Sequence, residues 1–190
     1  MINQHKTIRN NIEKYNRSGL LAVYLMPFIG NKKEVYIADI GSGPYSTIGN
    51  RLDGVTIHLF LIDSQDFSKF WEKQGVKPYY RINNQDMEDL KLLDNYVDIV
   101  HCANALDHTK DAEKAVQEMI RICKPRGYVY IKCNLDQMET GHKHYWNAKE
   151  DGTFVGKDKS FNLKDYGFTI EFVDKGGERR YNEIIAVLQK

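Results

Sequence analysis

Short runs of apolar residues alternate along the chain with longer stretches in which apolar residues recur every three to four positions. The first pattern predicts buried strands of a parallel sheet, and the second predicts helices packed on that sheet. The predicted strands are Glu34–Ile40, Thr56–Ile62, Pro78–Ile82, Tyr96–Cys102 and Gly127–Cys133. The predicted helices are Tyr45–Leu52, Gln65–Gln74, Asp86–Leu93 and Asp111–Lys124. This alternation predicts an α/β fold with a doubly wound, Rossmann-like sheet.

The segment Asp111–Lys124 carries the clearest helical pattern. Its apolar residues fall on one face, acidic residues lie in its first turn and basic residues in its last, and Pro125 follows it. After Cys133 the pattern changes to a polar and aromatic stretch at 134–161, which is predicted to be a loop region. Two alternating segments, Phe168–Val173 and Tyr181–Leu188, then predict a terminal antiparallel hairpin.

Length and composition limit the class of protein but do not indicate a function. A length of 190 residues fits one domain, 1–190. The formal net charge of +1 gives no reason to expect a nucleic-acid partner. The three cysteines lack CxxC spacing, residues 1–16 are polar, and the longest apolar run, Leu20–Ile29, is too short to cross a bilayer. We therefore expect a reduced, cytoplasmic protein without a membrane partner.

The glycine turn Gly41-Ser-Gly43 follows the first predicted strand and admits several interpretations. A nucleoside triphosphate loop is excluded because no lysine follows the turn. A dinucleotide loop matches only in part, since Ser46 stands at the third small position. A tight turn without a ligand is a further alternative.

Acidic residues at three successive strand ends favour a different ligand. Asp39 precedes the glycines, where a carboxylate would repel a pyrophosphate but suits an ammonium group. Asp63 ends the second strand and is placed to accept two ribose hydroxyls. Asp86, with Met87 beside it, follows the third strand and suits an adenine amino group and ring. The three acids together predict a site for an adenosyl amino acid.

These segments resemble the successive motifs of class I S-adenosylmethionine-dependent methyltransferases. The matching stretches, in order, are Asp39-Ile-Gly-Ser-Gly43, Leu59-Phe-Leu-Ile-Asp63, Asn84-Gln-Asp-Met87, Tyr96-Val-Asp-Ile-Val-His-Cys-Ala-Asn104 and Lys124-Pro-Arg-Gly-Tyr-Val-Tyr-Ile131. The resemblance implies a seven-stranded, mostly parallel sheet with an antiparallel strand near the carboxyl terminus. It also implies that S-adenosylmethionine lies across the carboxyl ends of the first strands.

The resemblance further implies a set of cofactor-binding residues. The methionine half would lie against Asp39, Gly41, Ser42 and Gly43, the ribose against Asp63 and Ser64, and the adenine against Asp86 and Met87. Cys102, Ala103 and Asn104 would face the reactive sulfur. The chain departs from the family pattern at Pro44-Tyr45, where many members have another glycine, and Tyr45 is expected to shield the cofactor.

Methyl transfer to a hydroxyl group also requires a group that takes the proton. Asp107 and His108 follow the fourth strand directly, and His108 is the first candidate for the base; a helix cap is the alternative role for both residues. The loop region supplies His142 and His144 as second candidates. No metal is expected, because the sequence shows no third ligand at the spacing of a tetrahedral site.

The acceptor is expected to be a small molecule or a carbohydrate, methylated on oxygen, because Asn104-Ala-Leu-Asp-His108 and the His-rich loop resemble small methyltransferases encoded with surface-glycan genes. The region 134–161 would lie on the acceptor side. Residues 1–30 would form a helical lid or pack on the sheet, and Tyr15 and Arg17 would help to shape the acceptor pocket. An NAD-dependent oxidoreductase and a non-catalytic module that binds S-adenosylmethionine remain alternatives.

Overall fold

The computed structural model of the protein describes residues 19–44, 46–74, 82–135, 144–174 and 182–190. Tyr15, Arg17, Tyr45 and His142 lie outside these ranges, as does most of the predicted strand Pro78–Ile82. Within the described ranges, no helix has the length and apolar character needed to span a bilayer.

The described residues contain ten strands. In chain order they are β1 Glu34–Ile40, β2 Thr56–Asp63, β3 Ile82–Asn84, β4 Val97–Ala103, β5 Cys123–Asn134, β6 Asn147–Ala148, β7 Thr153–Val155, β8 Ser160–Asn162, β9 Thr169–Val173 and β10 Glu183–Gln189. Seven of them form the main sheet, in the order β3-β2-β1-β4-β5-β10-β9. Strand β10 runs antiparallel to both of its neighbours, so the other six strands share one direction. This topology confirms the predicted fold class.

Three α-helices occur in the described ranges: α1 Met26–Ile29 precedes β1, α2 Ser68–Gln74 lies between β2 and β3, and α3 Ala112–Ile122 lies between β4 and β5. Helix α3 confirms the prediction for Asp111–Lys124, and Asp111 is its N-cap because its side chain accepts a hydrogen bond from the Lys114 amide. Helix α2 begins three residues later than predicted. There Asp66 Oδ1 accepts a hydrogen bond from the Ser68 amide at 2.9 Å, which satisfies a donor at the start of the helix.

The helix predicted for Tyr45–Leu52 is wrong, since residues 46–52 contain only bends and isolated bridges. Their backbone groups bond to the segment that precedes α1. The amides of Asn50 and Arg51 donate to Gly19 O at 2.7 and 2.6 Å, and the Leu21 amide donates to Arg51 O at 2.8 Å. Pairing with a distant segment therefore replaces the local bonds of a helix, which a pattern of apolar residues could not reveal.

The helix predicted for Asp86–Leu93 is also wrong, because side chains of α3 satisfy this backbone. The Leu90 amide donates to Glu118 Oε2 at 2.9 Å. Arg121 donates to Leu90 O and Leu92 O at 2.8 and 2.9 Å. The segment consequently stays as a series of turns that leads from β3 to β4.

Each face of the main sheet has its own hydrophobic core. On one face, α3 packs through Ala112, Val116 and Met119. On the other, Leu21, Leu25 and Ile29 pack on strand residues that include Ile37. Alternation along β1 produces this division, because Ile37 belongs to one core and Ala38 to the other. The described part of the predicted lid or packing segment therefore packs on the sheet.

The region predicted as a loop at 134–161 contains most of a second sheet of three antiparallel strands, in the order β6-β7-β8. Trp146, just before β6, is buried and packs edge-on against Phe161 of β8 with the ring centroids 5.6 Å apart. Trp146 Nε1 donates a hydrogen bond to Thr109 O at 3.0 Å. The small sheet is thereby attached to the segment that follows β4.

A buried carboxylate lies near the amino-terminal end of β4, at the other end of this strand from the segment to which the small sheet is attached. Asp98 on β4 accepts hydrogen bonds from Lys32 Nζ at 2.6 Å, Lys124 Nζ at 2.9 Å and the Tyr36 amide at 3.0 Å. Burial opposes the ionisation of Asp98, but these three donors hold the pKa of its carboxyl group below the ordinary value. The ionised form therefore stabilises the folded state.

We predict that Asp98→Asn lowers the free energy of unfolding at pH 7 by about 1–3 kcal/mol, because charged hydrogen bonds are lost from a buried site. Since the folded-state pKa is lowered, the contribution is present above the unfolded pKa and is lost as pH falls through the folded pKa. Urea denaturation at pH 7 and at pH values below about 4 measures both effects. Asp89→Asn, which removes an exposed pair with Lys91, should change stability little; equal losses in both variants would contradict the prediction.

Candidate active site

A cavity of about 580 Å³ lies at the carboxyl ends of β1, β2 and β4, where open α/β sheets bind ligands. Its size is within the range of about 300–1,000 Å³ that is usual for small-molecule sites. The lining residues are Ile40, Gly41, Gly43, Pro44, Ile62, Asp63, Ser64, Gln65, Phe67, Gln85, Asp86, Met87, Glu88, Asn104, Ala105, His108, Thr109, Lys110 and Tyr145.

The structure brings many of the predicted site residues together around this cavity. Those that line it are Gly41, Gly43, Asp63, Ser64, Asp86, Met87, Asn104 and His108. Those that are described but do not line it are Asp39, Ser42, Cys102, Ala103, Asp107 and His144. Tyr45 and His142 lie outside the described residues. The predicted strand-end acids thus divide into two that border the cavity and one, Asp39, that does not.

The packing of the cavity wall requires a glycine at position 41. Its backbone has φ = +69°, and a Cβ atom built on it would lie 2.3 Å from Ala105 Cβ. The turn after β1 therefore touches the segment after β4 at a point where no side chain fits. Gly43 differs, because its φ is +66° but a Cβ atom there would have no atom within 4 Å.

The carboxylate of Asp63 ties the glycine turn to the end of β2. Its Oδ2 accepts a hydrogen bond from the Gly43 amide at 2.9 Å, and its Oδ1 accepts one from the Gln65 amide, also at 2.9 Å. Each carboxylate oxygen can accept a second hydrogen bond. Asp63 can therefore organise the loops and still bind a ligand.

A side chain of helix α2 contacts the turn at Pro44, where the sequence departs from the family pattern. Trp71 Nε1 donates a hydrogen bond to Pro44 O at 2.9 Å. Phe67, which precedes the helix, lines the cavity and packs against the Trp71 ring, with centroids 6.1 Å apart. The turn that begins at Gly41 is thus held at Pro44 by a side chain of α2.

Asp39 takes part in a buried hydrogen-bonded chain. Its Oδ1 pairs with His101 Nδ1 at 2.7 Å, and His101 Nε2 lies 3.1 Å from the hydroxyl of Tyr24. Asp39 and His101 are directly opposite each other on β1 and β4. The carboxylate predicted to meet an ammonium group is therefore engaged by a histidine that the sequence analysis did not single out.

Cys102 is fully buried within β4. Burial, with the nearby negative charges of Asp39 and Asp107, raises the pKa of its thiol. Its thiol therefore contributes to the core on one side of the sheet. Asn104, two residues later, has φ = +50° and does line the cavity.

The predicted catalytic residues form a cluster beside the cavity. His144 Nδ1 and Asp107 Oδ2 form a hydrogen bond of 2.6 Å, and the two side chains are only 6% and 7% exposed. The rings of His144 and His108 are 4.3 Å apart between centroids. His108 is exposed and lines the cavity. The cluster thus extends from a buried carboxylate to a cavity-facing imidazole.

Several lining residues were missed from the sequence, notably Phe67, Glu88, Lys110 and Tyr145. The first three follow predicted site residues by one to three positions, and this closeness in sequence could have indicated that they also line the cavity. Tyr145 is held by its backbone, since its amide donates to Asp107 O at 2.8 Å. With Asp63 and Asp86, the cavity has three carboxylates and one lysine, which favours a ligand with positive charge.

Comparisons with known proteins agree with this architecture. A family model described as a methyltransferase domain matches residues 38–131, the part of the chain that contains the end of β1, all of β2 to β4 and most of β5. No curated protein matches the sequence.

Solved structures share the fold at low sequence identity. A SAM-dependent methyltransferase from Aquifex aeolicus is 18% identical, with a TM-score of 0.54 over 96% of this chain and 97% of that one. A complex of the Haloferax volcanii Trm112 methyltransferase activator with a candidate methyltransferase gives 14% identity and a TM-score of 0.61 over 97% and 92%. The CurJ carbon methyltransferase is 16% identical, with a TM-score of 0.59 over 86% of this chain and 50% of that one.

We predict that Gly41→Ala lowers the free energy of unfolding by about 2–4 kcal/mol, because it adds an overlap with Ala105 to the strain of a positive φ. Gly43→Ala has a similar φ but open space, so we expect a loss of about 1 kcal/mol. Urea denaturation of the two matched variants measures the difference. Equal losses would show that contact with Ala105 does not determine the residue at position 41.

Proposed function

We propose that the chain, which matches a methyltransferase domain over residues 38–131, is a class I S-adenosylmethionine-dependent methyltransferase that transfers the methyl group to an oxygen atom of a small molecule or a sugar unit. The observation that carries the proposal is the position of His108. This imidazole lines the cavity and lies beside the buried Asp107–His144 pair.

The cofactor is proposed to lie along the ends of β1, β2 and β3. Its methionine half would lie along the backbone at Gly41 and Gly43, its ribose at Asp63 and its adenine at Asp86 and Met87. The three carboxylates of the cavity support this placement, because the bound molecule carries a sulfonium and an ammonium charge. Asp39, Cys102 and Ala103 are left out of the proposed contacts because they do not line the cavity.

Methyl transfer is an in-line displacement at the carbon attached to sulfur. The protein must hold the acceptor oxygen about 3–3.5 Å from that carbon and in line with the breaking bond. The oxygen forms a bond to carbon, the carbon–sulfur electron pair stays on sulfur, and the hydroxyl proton passes to a base. His108 is proposed as that base, with His144 packed against its ring and Asp107 fixing the orientation of His144.

The acceptor is proposed to bind between His108, Lys110 and Tyr145. Tyr145 is 45% exposed and can stack on a sugar or another ring. Lys110 can donate to an acceptor oxygen. His142, Tyr15 and Arg17, which were also predicted to shape this pocket, lie outside the described residues.

The alternative of an NAD-dependent oxidoreductase has no support beyond the glycine turn. The cavity that contains this turn has three carboxylates, which would repel the pyrophosphate of a dinucleotide. A non-catalytic module would need no activating group beside the cavity, whereas His108 lines it.

We predict that Asp86→Ala weakens the binding of S-adenosylhomocysteine about tenfold, since one hydrogen bond to a charged acceptor is lost. Isothermal titration calorimetry measures the affinity. Asp89→Ala is the matched control, because Asp89 is three residues away and does not line the cavity. The proposed position of the adenine is wrong if both variants bind like the unchanged protein.

We predict that His108→Gln lowers kcat for methyl transfer by about 10²–10⁴-fold, because the acceptor hydroxyl loses its proton acceptor. The affinity for S-adenosylhomocysteine should stay the same. Release of S-adenosylhomocysteine with a panel of hydroxylated small molecules and sugars measures turnover. His58→Gln removes an exposed histidine on β2 and should leave turnover unchanged; equal turnover in both variants would refute the role of His108.

A further inference from the structure

Three potential metal ligands meet beside the cavity. Each of Asp107, His108 and His144 offers one ligand atom, and these atoms all lie within 4.8 Å of one another. No metal was expected from the sequence, because it shows no third ligand at the spacing of a tetrahedral site. The fold supplies the third ligand that the sequence analysis found missing.

An unusual feature of this cluster is a buried oxygen atom. Asp107 is 5% exposed, and its Oδ1 accepts no hydrogen bond from any residue in the described ranges. Its Oδ2 is bonded to His144 Nδ1. A buried carboxylate with an unsatisfied oxygen is unfavourable unless another positive group or a donor binds it. The oxygen therefore points to a ligand that the described residues do not provide.

The backbone holds the cluster together independently of its side chains. Asp107 O accepts hydrogen bonds from the amides of Tyr145 and Trp146 at 2.8 and 3.3 Å. The His108 amide donates to Ala105 O at 3.1 Å within the same short turn. These bonds fix the segment that carries His144 against the segment that carries Asp107 and His108, so the three side chains are gathered before any ion binds.

We propose that Asp107, His108 and His144 bind one divalent ion of the zinc type at the wall of the cavity. Two imidazoles and one carboxylate are a ligand set for borderline transition ions, whereas Mg²⁺ and Ca²⁺ prefer oxygen ligands alone. Three protein ligands leave the fourth position of a tetrahedral ion for a water molecule or a substrate atom. The positive charge of the ion would offset the negative charge of the buried Asp107 carboxylate.

The consequence for catalysis rests on the function proposed above. The acceptor hydroxyl occupies the fourth position, where the ion lowers its pKa, and its proton leaves to solvent through the cavity. The oxygen then forms the bond to the methyl carbon while the carbon–sulfur electron pair remains on sulfur. In this arrangement His108 holds the ion and takes no proton. The His108→Gln variant loses activity in both arrangements, so only metal binding separates them.

Metal binding can be measured without any methyl acceptor. Protein dialysed against a chelator is titrated with Zn²⁺ by calorimetry, and Co²⁺ is added to a second sample to record the visible absorption of a tetrahedral site. We expect one ion per chain and an affinity at least about 100-fold weaker in His108→Gln and Asp107→Asn. Asp107→Asn keeps the size of the side chain, and circular dichroism verifies that both variants fold. His58→Gln controls for binding by an exposed histidine and should bind as the unchanged protein does.

The proposal is overturned if the unchanged protein binds no Zn²⁺, or if the His108 and Asp107 variants bind it equally well. Turnover then tests the two proposals separately. Full methyl transfer in chelator would overturn the metal site and leave the methyl transfer to oxygen standing. One bound ion with no transfer to any hydroxylated acceptor would support the metal site and overturn the proposed acceptor.

Discussion

The architecture of this protein depends on a close approach between the turn after β1 and the segment after β4. Gly41 and Ala105 meet where a side chain on residue 41 would overlap Ala105 Cβ. These two segments leave neighbouring strands at the place where the order of the sheet reverses direction, and both line the cavity. The Asp63 carboxylate then fixes the same turn to β2. A bound ligand consequently meets the glycine turn, three carboxylates and apolar side chains such as Phe67 and Met87.

Much of the fold could be predicted, because buried parallel strands are read from short apolar runs. The bounds of β1 match the prediction, and the terminal pair of strands was expected from alternation alone. The helices at Tyr45–Leu52 and Asp86–Leu93 failed for a common reason. Their backbone groups are satisfied by partners that are distant in sequence, Gly19 in one case and Arg121 in the other. A local pattern contains no information about such partners.

Some residues of the candidate site could likewise be predicted from the sequence, and others could not. Asp63, Asp86 and Gly43 could be identified because the carboxyl ends of parallel strands converge. Asp39 is the exception, since His101 on the adjacent strand engages its carboxylate. The pairing of Asp107 with His144 depends on how the small sheet docks on the segment after β4, through the buried Trp146 and the Lys159–Asp111 ion pair. That docking joins residues far apart in sequence, so only the structure brings them together.

The attachment of the small sheet has a consequence for how this enzyme can diversify. Strands β6 to β8 touch the segment after β4 through a few backbone and side-chain contacts, whereas the described residues proposed to bind the cofactor all precede Ala105. Substitutions within the small sheet can therefore alter the wall at Tyr145 without disturbing the turn at Gly41 or the carboxylate of Asp63. In the proposed arrangement, donor recognition and acceptor recognition are encoded in separate stretches of the chain, so that each could be inherited or exchanged independently.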